Sequence, residues 1–194
     1  MSALTLTLHP TLELTDDQFY DLCQHNRDLR IERTANGELL IMAPVGGEGG
    51  WRNSKLTQQV GNWENTNDRG IAFDSSTGFK LPNGADRSPD VAWVSRDRWD
   101  ALTPEQKRKF PPLCPDFVIE LRSESDSLQT LQAKMREYIE NGARLGWLID
   151  PKNQRVEIYR PGQPVEVLQN PATLSGEEVL PGFVLDLKPI FSNL

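Results

Sequence analysis

The stretch from Phe117 to Asp150 does most to limit what this chain can fold into. Phe117-Val-Ile-Glu-Leu is a short, mostly apolar run, the pattern of a strand buried on both faces. Ser125-Asp-Ser opens a helix whose apolar stripe is Leu128, Leu131, Met135 and Tyr138, with Ile139 beside it, and Asn141-Gly142 is a strong stop signal. Leu145-Gly-Trp-Leu-Ile-Asp150 then reads as a second apolar strand. A strand, a helix and a strand in this order suit a right-handed parallel crossover, so a mixed α/β architecture is expected.

The flanking sequence adds further elements. Thr15 can cap a helix whose first turn holds Asp16 and Asp17, where the helix dipole favours acids. Two extended runs around Asn36-Gly37 predict a hairpin. Pro44 to Gly50 reads as a loop, and Trp51 to Asn67 as an amphipathic helix with Leu56, Val60 and Trp63 on one face. Short extended pieces follow near Ile71, Gly78 and Asp90-Val-Ala-Trp-Val, then a polar stretch with a short helix after Thr103. The segments at Val156 and Val165 predict an edge hairpin, and Pro181-Gly-Phe-Val-Leu ends the pattern. With 194 residues, no repeat and no linker, residues 1–194 are read as one domain, of which 1–45 form an N-terminal helix and hairpin extension.

Composition narrows the setting more than the activity. No apolar run is long enough to span a bilayer, and Met1 to Pro10 lacks the basic start of a signal peptide. Cys23 and Cys114 have neither metal-site spacing nor disulfide density, so a cytoplasmic location is expected. The net charge of −7 argues against a nucleic-acid partner, because phosphate binding usually needs a basic face. Acids gathered around a metal would reverse their local effect.

The chemistry-bearing pair is Pro89-Asp90 and, thirty residues later, Glu120-Leu121-Arg122. Asp90 opens an apolar strand and Glu120 interrupts one, places where a carboxylate is costly unless paired or bound to a cation. Two converging carboxylates would make a hard oxygen site suited to Mg2+, with a neighbouring lysine or arginine to steady charge developing on a phosphate. A purely structural reading also fits: Asp90 capping a turn and Glu120 pairing with Arg122. Lys134, at the flank of the apolar stripe when the helix turns about 100° per residue, points toward the sheet edge where Glu120 ends. A lysine in that position can also simply snorkel into solvent. PVGGEGG lacks the GK[ST] ending of a phosphate-binding P-loop, and a glycosidase reading has only the acid pair behind it.

PDVAWV, then PDFVIELRSESDSLQTLQAKMREYIENGARLGWLIDP, then RVEIYRPG resemble the Uma family of restriction-endonuclease-type proteins, a bacterial group expanded in cyanobacteria within the PD-(D/E)xK nuclease superfamily. The resemblance implies a restriction-endonuclease-like fold: a central mixed sheet flanked by helices, with an added N-terminal helix and hairpin. It implies Asp90 and Glu120 as metal ligands, with the Leu121 carbonyl as a further donor, and Mg2+ as cofactor with Mn2+ as substitute. It also implies DNA as substrate and a homodimer. Two positions depart from the family pattern. Arg122 stands where the motif has lysine, and the family's displaced lysine falls on Lys134, so Lys134 is expected to serve catalysis with Arg122 as auxiliary. Many relatives carry a histidine before the second helix; this chain has Glu48, a candidate third metal ligand. Glu32 and Glu38 sit in the family's hairpin pattern without an assigned role. The alternative implied by Arg122 and the acidic balance is a nuclease-fold module kept for binding or assembly.

Overall fold

Local capping chemistry starts the helices where the sequence asks for it. Thr15 accepts from the Gln18 amide while Gln18 returns a bond to the Thr15 amide, a closed capping box, and Thr103 and Gln106 repeat it. Ser127 accepts from the Thr130 amide at the start of the helix after the Phe117 strand. The computed structural model describes residues 4–192. In chain order the elements are β1 (Leu4–Leu6), α1 (Asp16–His25), β2 (Arg30–Arg33), β3 (Leu39–Met42), α2 (Gly47–Glu64), β4 (Gly70–Asp74), β5 (Phe79–Lys80), β6 (Asp86–Arg87), β7 (Val91–Ser95), α3 (Arg96–Asp100), α4 (Pro104–Arg108), β8 (Phe117–Leu121), α5 (Leu128–Glu140), β9 (Leu145–Asp150), β10 (Arg155–Tyr159), β11 (Glu166–Gln169), β12 (Thr173–Ser175), β13 (Val184–Asp186) and α6 (Lys188–Phe191).

The central sheet runs β11-β10-β9-β8-β7-β4. Only β8 and β9 are parallel, the pair that the α5 crossover joins; the other pairings are antiparallel, so the sheet is mixed as expected. A five-stranded sheet, β1-β3-β2-β6-β5, forms a separate layer, in which the Asn36-Gly37 hairpin gains β6 through the Arg33–Asp86 register. The expected loop from Pro44 to Gly50 is shorter than read: α2 already begins at Gly47, capped by the extended Gly46, with Glu48 in the first turn. Buried Leu56 and Val60 anchor the helix farther along, and that packing outweighs the low helix propensity of three glycines.

Period-two alternation sorts the central strands between two cores. Val91, Trp93, Phe117, Ile119, Trp147 and Ile149 face α2, β13 and α6, where they meet Leu56, Val60, Phe183 and Ile190. Ala92, Val94, Val118 and Leu148 face α5, packing on Met135 and Tyr138. The tryptophans read as core residues, Trp93 and Trp147, are buried. Burial on both faces is what made β8 and β9 read as unbroken apolar runs. It also makes Glu120, on the α5 face of β8, an acid placed in the interior.

Candidate active site

Strand register brings the two predicted acids together. Val91 pairs with Ile119 at the end of the β7–β8 ladder, so Asp90, one residue before β7, lies opposite Glu120 on the same face. The Asp90 Oδ2 accepts from the Leu121 amide at 2.8 Å, which fixes its carboxylate against the neighbouring strand. Glu120 is 4% exposed; its Oε1 accepts from the Tyr138 hydroxyl at 2.9 Å and forms an ion pair with the Lys134 Nζ at 2.8 Å. Lys134 and Tyr138 stand one helical turn apart on α5 and reach the same oxygen. The lysine projects to Glu120 as its helical phase predicted.

Glu32 completes a buried network that the sequence reading left without a role. From β2 its Oε1 accepts from Lys134 Nζ at 2.8 Å and from the Ser88 amide at 3.0 Å, and its Oε2 accepts from Arg87 Nη1 at 3.1 Å. Arg87 in turn donates from Nε to Glu137 on α5 at 2.6 Å. Lys134 therefore sits between two carboxylates supplied by two different sheets. Arg30 was likewise missed; its Nη1 donates to Asp90 Oδ1 at 3.3 Å. Signals for these residues were present but local: Arg30 and Glu32 share a strand face at i and i+2, Tyr138 follows Lys134 by four, and Arg87 shortly precedes Pro89-Asp90.

The electrostatics of the buried groups diverge. Burial pushes the Glu120 carboxyl up to about 7; Lys134 pulls against this, while Asp90 and Glu32 add to it. Glu32 is held down at about 2, because Lys134, Arg87 and the Ser88 amide outweigh its burial. Burial would lower the Lys134 ammonium, but Glu120 and Glu32 raise it above its ordinary value, so it is a fixed positive charge and not a base. The negative charge crowded at Glu120 and Asp90 is what a divalent cation would relieve.

Two other expected site residues lie apart from this network. Arg122 does not pair with Glu120: it donates to Asp150 Oδ2 at 2.6 Å and to the Asp126 carbonyl at 3.2 Å. Arg122 lies one residue beyond β8, and Asp150 at the end of neighbouring β9 captures its guanidinium. Glu48 is exposed on the first turn of α2 and pairs with Arg52 at 3.2 Å. Among the described residues no group of three or more His, Cys, Asp and Glu side chains is placed to hold a metal ion, so Glu48 is not drawn into a three-acid cluster. Asp90, Arg122 and Glu48 nevertheless line one groove of about 1530 Å3, together with Arg30, Arg52, Ser123, Asp150 and Lys152. That exceeds the roughly 300–1,000 Å3 of a small-molecule pocket.

The donor chemistry fits a hard divalent cation. Asp90 and Glu120 supply two carboxylates from adjacent strands, and Mg2+ needs only one or two carboxylates when waters and substrate phosphate complete its shell.

The sequence profile of the Uma2 family, described as "Putative restriction endonuclease", matches residues 16–188. The chain belongs to the Uma2 family. No curated protein matches it. Among solved structures, a crystal structure described as a "putative nuclease belonging to DUF820 from Anabaena variabilis ATCC 29413" superposes with a TM-score of 0.75. The alignment covers 92% of this chain and 97% of that one at 21% identity, which establishes a shared fold. Asp90, Glu120, Arg122 and Lys134 all lie within the family match, as do Arg30, Glu32 and Tyr138 of the buried network. Among the described residues no helix is long and apolar enough to cross a membrane.

Proposed function

We propose that this Uma2-family protein is a divalent-metal-dependent endonuclease that hydrolyses phosphodiester bonds in DNA, with Mg2+ as the cofactor and Mn2+ as a substitute. The observation that carries this reading is the cross-strand Asp90–Glu120 pair, in which Asp90 lines a large groove and the Lys134 ammonium is held 2.8 Å from the buried Glu120. The family description supports the same class of chemistry. Asp90 and Glu120 would hold the cation with the Leu121 carbonyl beside them; when bound it supplies positive charge to the phosphate and makes water a competent nucleophile near neutral pH.

The chain's own residues do the rest. Glu32 and Glu120 pin the Lys134 ammonium from two sides, and its fixed positive charge would steady the negative charge that gathers on the phosphate during attack. Tyr138 fixes the Glu120 carboxylate by donating to Oε1. In the net reaction one P–O ester bond breaks as a new P–O bond forms to water, and the leaving oxygen takes up a proton. Arg122, held by Asp150 at the groove wall, serves phosphate binding and not the reacting atoms.

A second reading, a nuclease-fold module used for binding or assembly, is favoured by the net charge of −7 and by the Arg30 contact on Asp90. Calorimetry with Mn2+ on the parent and on Asp90→Asn, followed by plasmid cleavage with Mg2+ or Mn2+, separates the two. Metal binding lost in Asp90→Asn and cleavage by the parent support the nuclease. Equal Mn2+ binding by both proteins would remove the proposed site, and a parent that binds metal but cuts nothing would favour the module.

A further inference from the structure

Arg30 is a basic group on the groove beside Asp90 that neither the sequence motif nor the ligand set explains. Its Nη1 reaches Asp90 Oδ1 at 3.3 Å, longer than the roughly 2.7–2.9 Å of a good charge-assisted bond. Its Nη2 donates to the Ser88 carbonyl, and its Nε is buried without a partner. Arg33, three residues along on the same strand, provides the contrast. All three of its nitrogens have acceptors: Asp86 at 2.7 Å, the Leu14 carbonyl at 2.7 Å, and Asp16 at 2.5 Å. Arg33 is saturated, as a structural clamp should be. Arg30 has donor capacity to spare, and its side chain is 31% exposed on the groove that Asp90 also lines.

Asp90 does not depend on Arg30 for its position, since its other oxygen already accepts from the Leu121 amide. The charges point the same way. The network holds four carboxylates (Asp90, Glu120, Glu32, Glu137) against three basic groups (Arg30, Lys134, Arg87), so it carries one net negative charge when ionised. A divalent cation at Asp90 and Glu120 would turn this to one net positive charge, the complement of a phosphodiester. It would also compete with Arg30 for Asp90. A guanidinium is permanently charged and presents a planar fork that matches two phosphate oxygens.

We infer that Arg30 is a second phosphate-binding arginine of this site, beside Arg122, and the one that meets the scissile phosphate: once a cation holds Asp90 and Glu120, its guanidinium turns from Asp90 to the non-bridging oxygens of the DNA phosphodiester in the groove. The inference rests on the nuclease reading. It makes the N-terminal sheet a contributor to substrate binding.

The test compares the parent, Arg30→Met and Arg30→Lys by Mn2+ calorimetry, by anisotropy of a fluorescent DNA duplex in Ca2+, and by single-turnover cleavage in Mg2+. Arg30→Met should bind Mn2+ at least as tightly as the parent, because Asp90 has lost a competitor. Its DNA affinity should fall about tenfold, with a salt dependence shallower by roughly one phosphate contact. Its cleavage rate should fall on the order of a hundredfold, as when one charge-stabilising donor is removed. Arg30→Lys, which keeps the charge and loses the fork, should retain Mn2+ binding and fall between the two; it carries the test if circular dichroism shows Arg30→Met unfolded. Loss of Mn2+ binding together with cleavage would overturn the inference, showing that Arg30 only holds Asp90. Unchanged DNA affinity, salt dependence and rate would overturn it as well. A parent that neither binds nor cuts DNA would bring down the nuclease reading and this inference with it, whereas an active parent with an equally active Arg30→Met overturns the inference alone.

Discussion

Replacing Lys134 with methionine removes the one cation that Glu32 and Glu120 share, while keeping a side chain of similar length. Lys134 Nζ is 2.8 Å from both Glu32 Oε1 and Glu120 Oε1, and its side chain is only 11% exposed. At an effective dielectric of about 20, each contact is worth roughly 6 kcal/mol before the cost of desolvating the ammonium is subtracted. After the substitution Glu32 keeps Arg87 and the Ser88 amide, but Glu120 loses its paired cation and keeps only the hydrogen bond from Tyr138. Removing one partner of a buried pair costs about 3–5 kcal/mol, and urea unfolding at pH 7 should show a loss of that size. Arg122→Met is the matched control. It strips one donor from Asp150, which still accepts from Asn153, so the loss should be about 1–2 kcal/mol. Single-turnover plasmid cleavage, measured on variants shown to be folded by circular dichroism, should fall on the order of a hundredfold for Lys134→Met and less than about tenfold for Arg122→Met. An unchanged urea midpoint in Lys134→Met would refute the buried network. If Arg122→Met were inactive while Lys134→Met cut normally, the catalytic assignment would be reversed.

Three further outcomes are expected. Glu32 has a folded pKa near 2 against an ordinary 4.5, so its ionic contribution of about 3 kcal/mol is present above pH 4.5 and is lost as pH falls toward 2; the stability gap between the parent and Glu32→Gln should shrink over that window, and a gap independent of pH would contradict it. Gly70→Ala would place a methyl 2.3 Å from the Val94 carbonyl and 2.4 Å from the Trp93 ring, so calorimetric melting should show a loss of at least about 1–3 kcal/mol, and an unshifted transition would show that the close approach is not there. A homodimer is expected because β11 leaves an open edge on the central sheet with Val167 exposed; light scattering that gives the mass of a monomer at micromolar concentration would exclude it.

The parts of the fold that read clearly from sequence are those governed by near neighbours. Thr15, Thr103 and Ser127 cap their helices through residues three positions on, and the apolar runs of β8 and β9 announce strands covered on both faces. Lys134 was legible because helical phase carries it toward Glu120 and the family resemblance puts the displaced lysine there. Arg122 was not, because its direction is decided by Asp150, an acid on another strand. The five-stranded sheet was hidden for a similar reason: β5 and β6 are two residues each, and Asp86-Arg87 has no apolar alternation to betray a strand. The start of α2 was obscured by glycines whose helical state depends on packing farther along. Arg30 and Glu32 could be seen as charged residues in a hairpin, but their partners are set by how one sheet meets the other.

Arg30–Asp90, Arg87–Glu137 and Glu32–Lys134 join residues 60, 50 and 102 positions apart in the chain. Contacts of such separation require long loops to close, at an entropic cost that slows folding. A polypeptide that has emerged only as far as β7 has Arg30, Glu32 and Asp90 but neither Glu120 nor Lys134, and a fragment beginning at β8 has the reverse. Neither piece contains a finished centre. The centre would therefore be complete only once α5 has been laid down, and each product of a cut between β7 and β8 would carry only part of it.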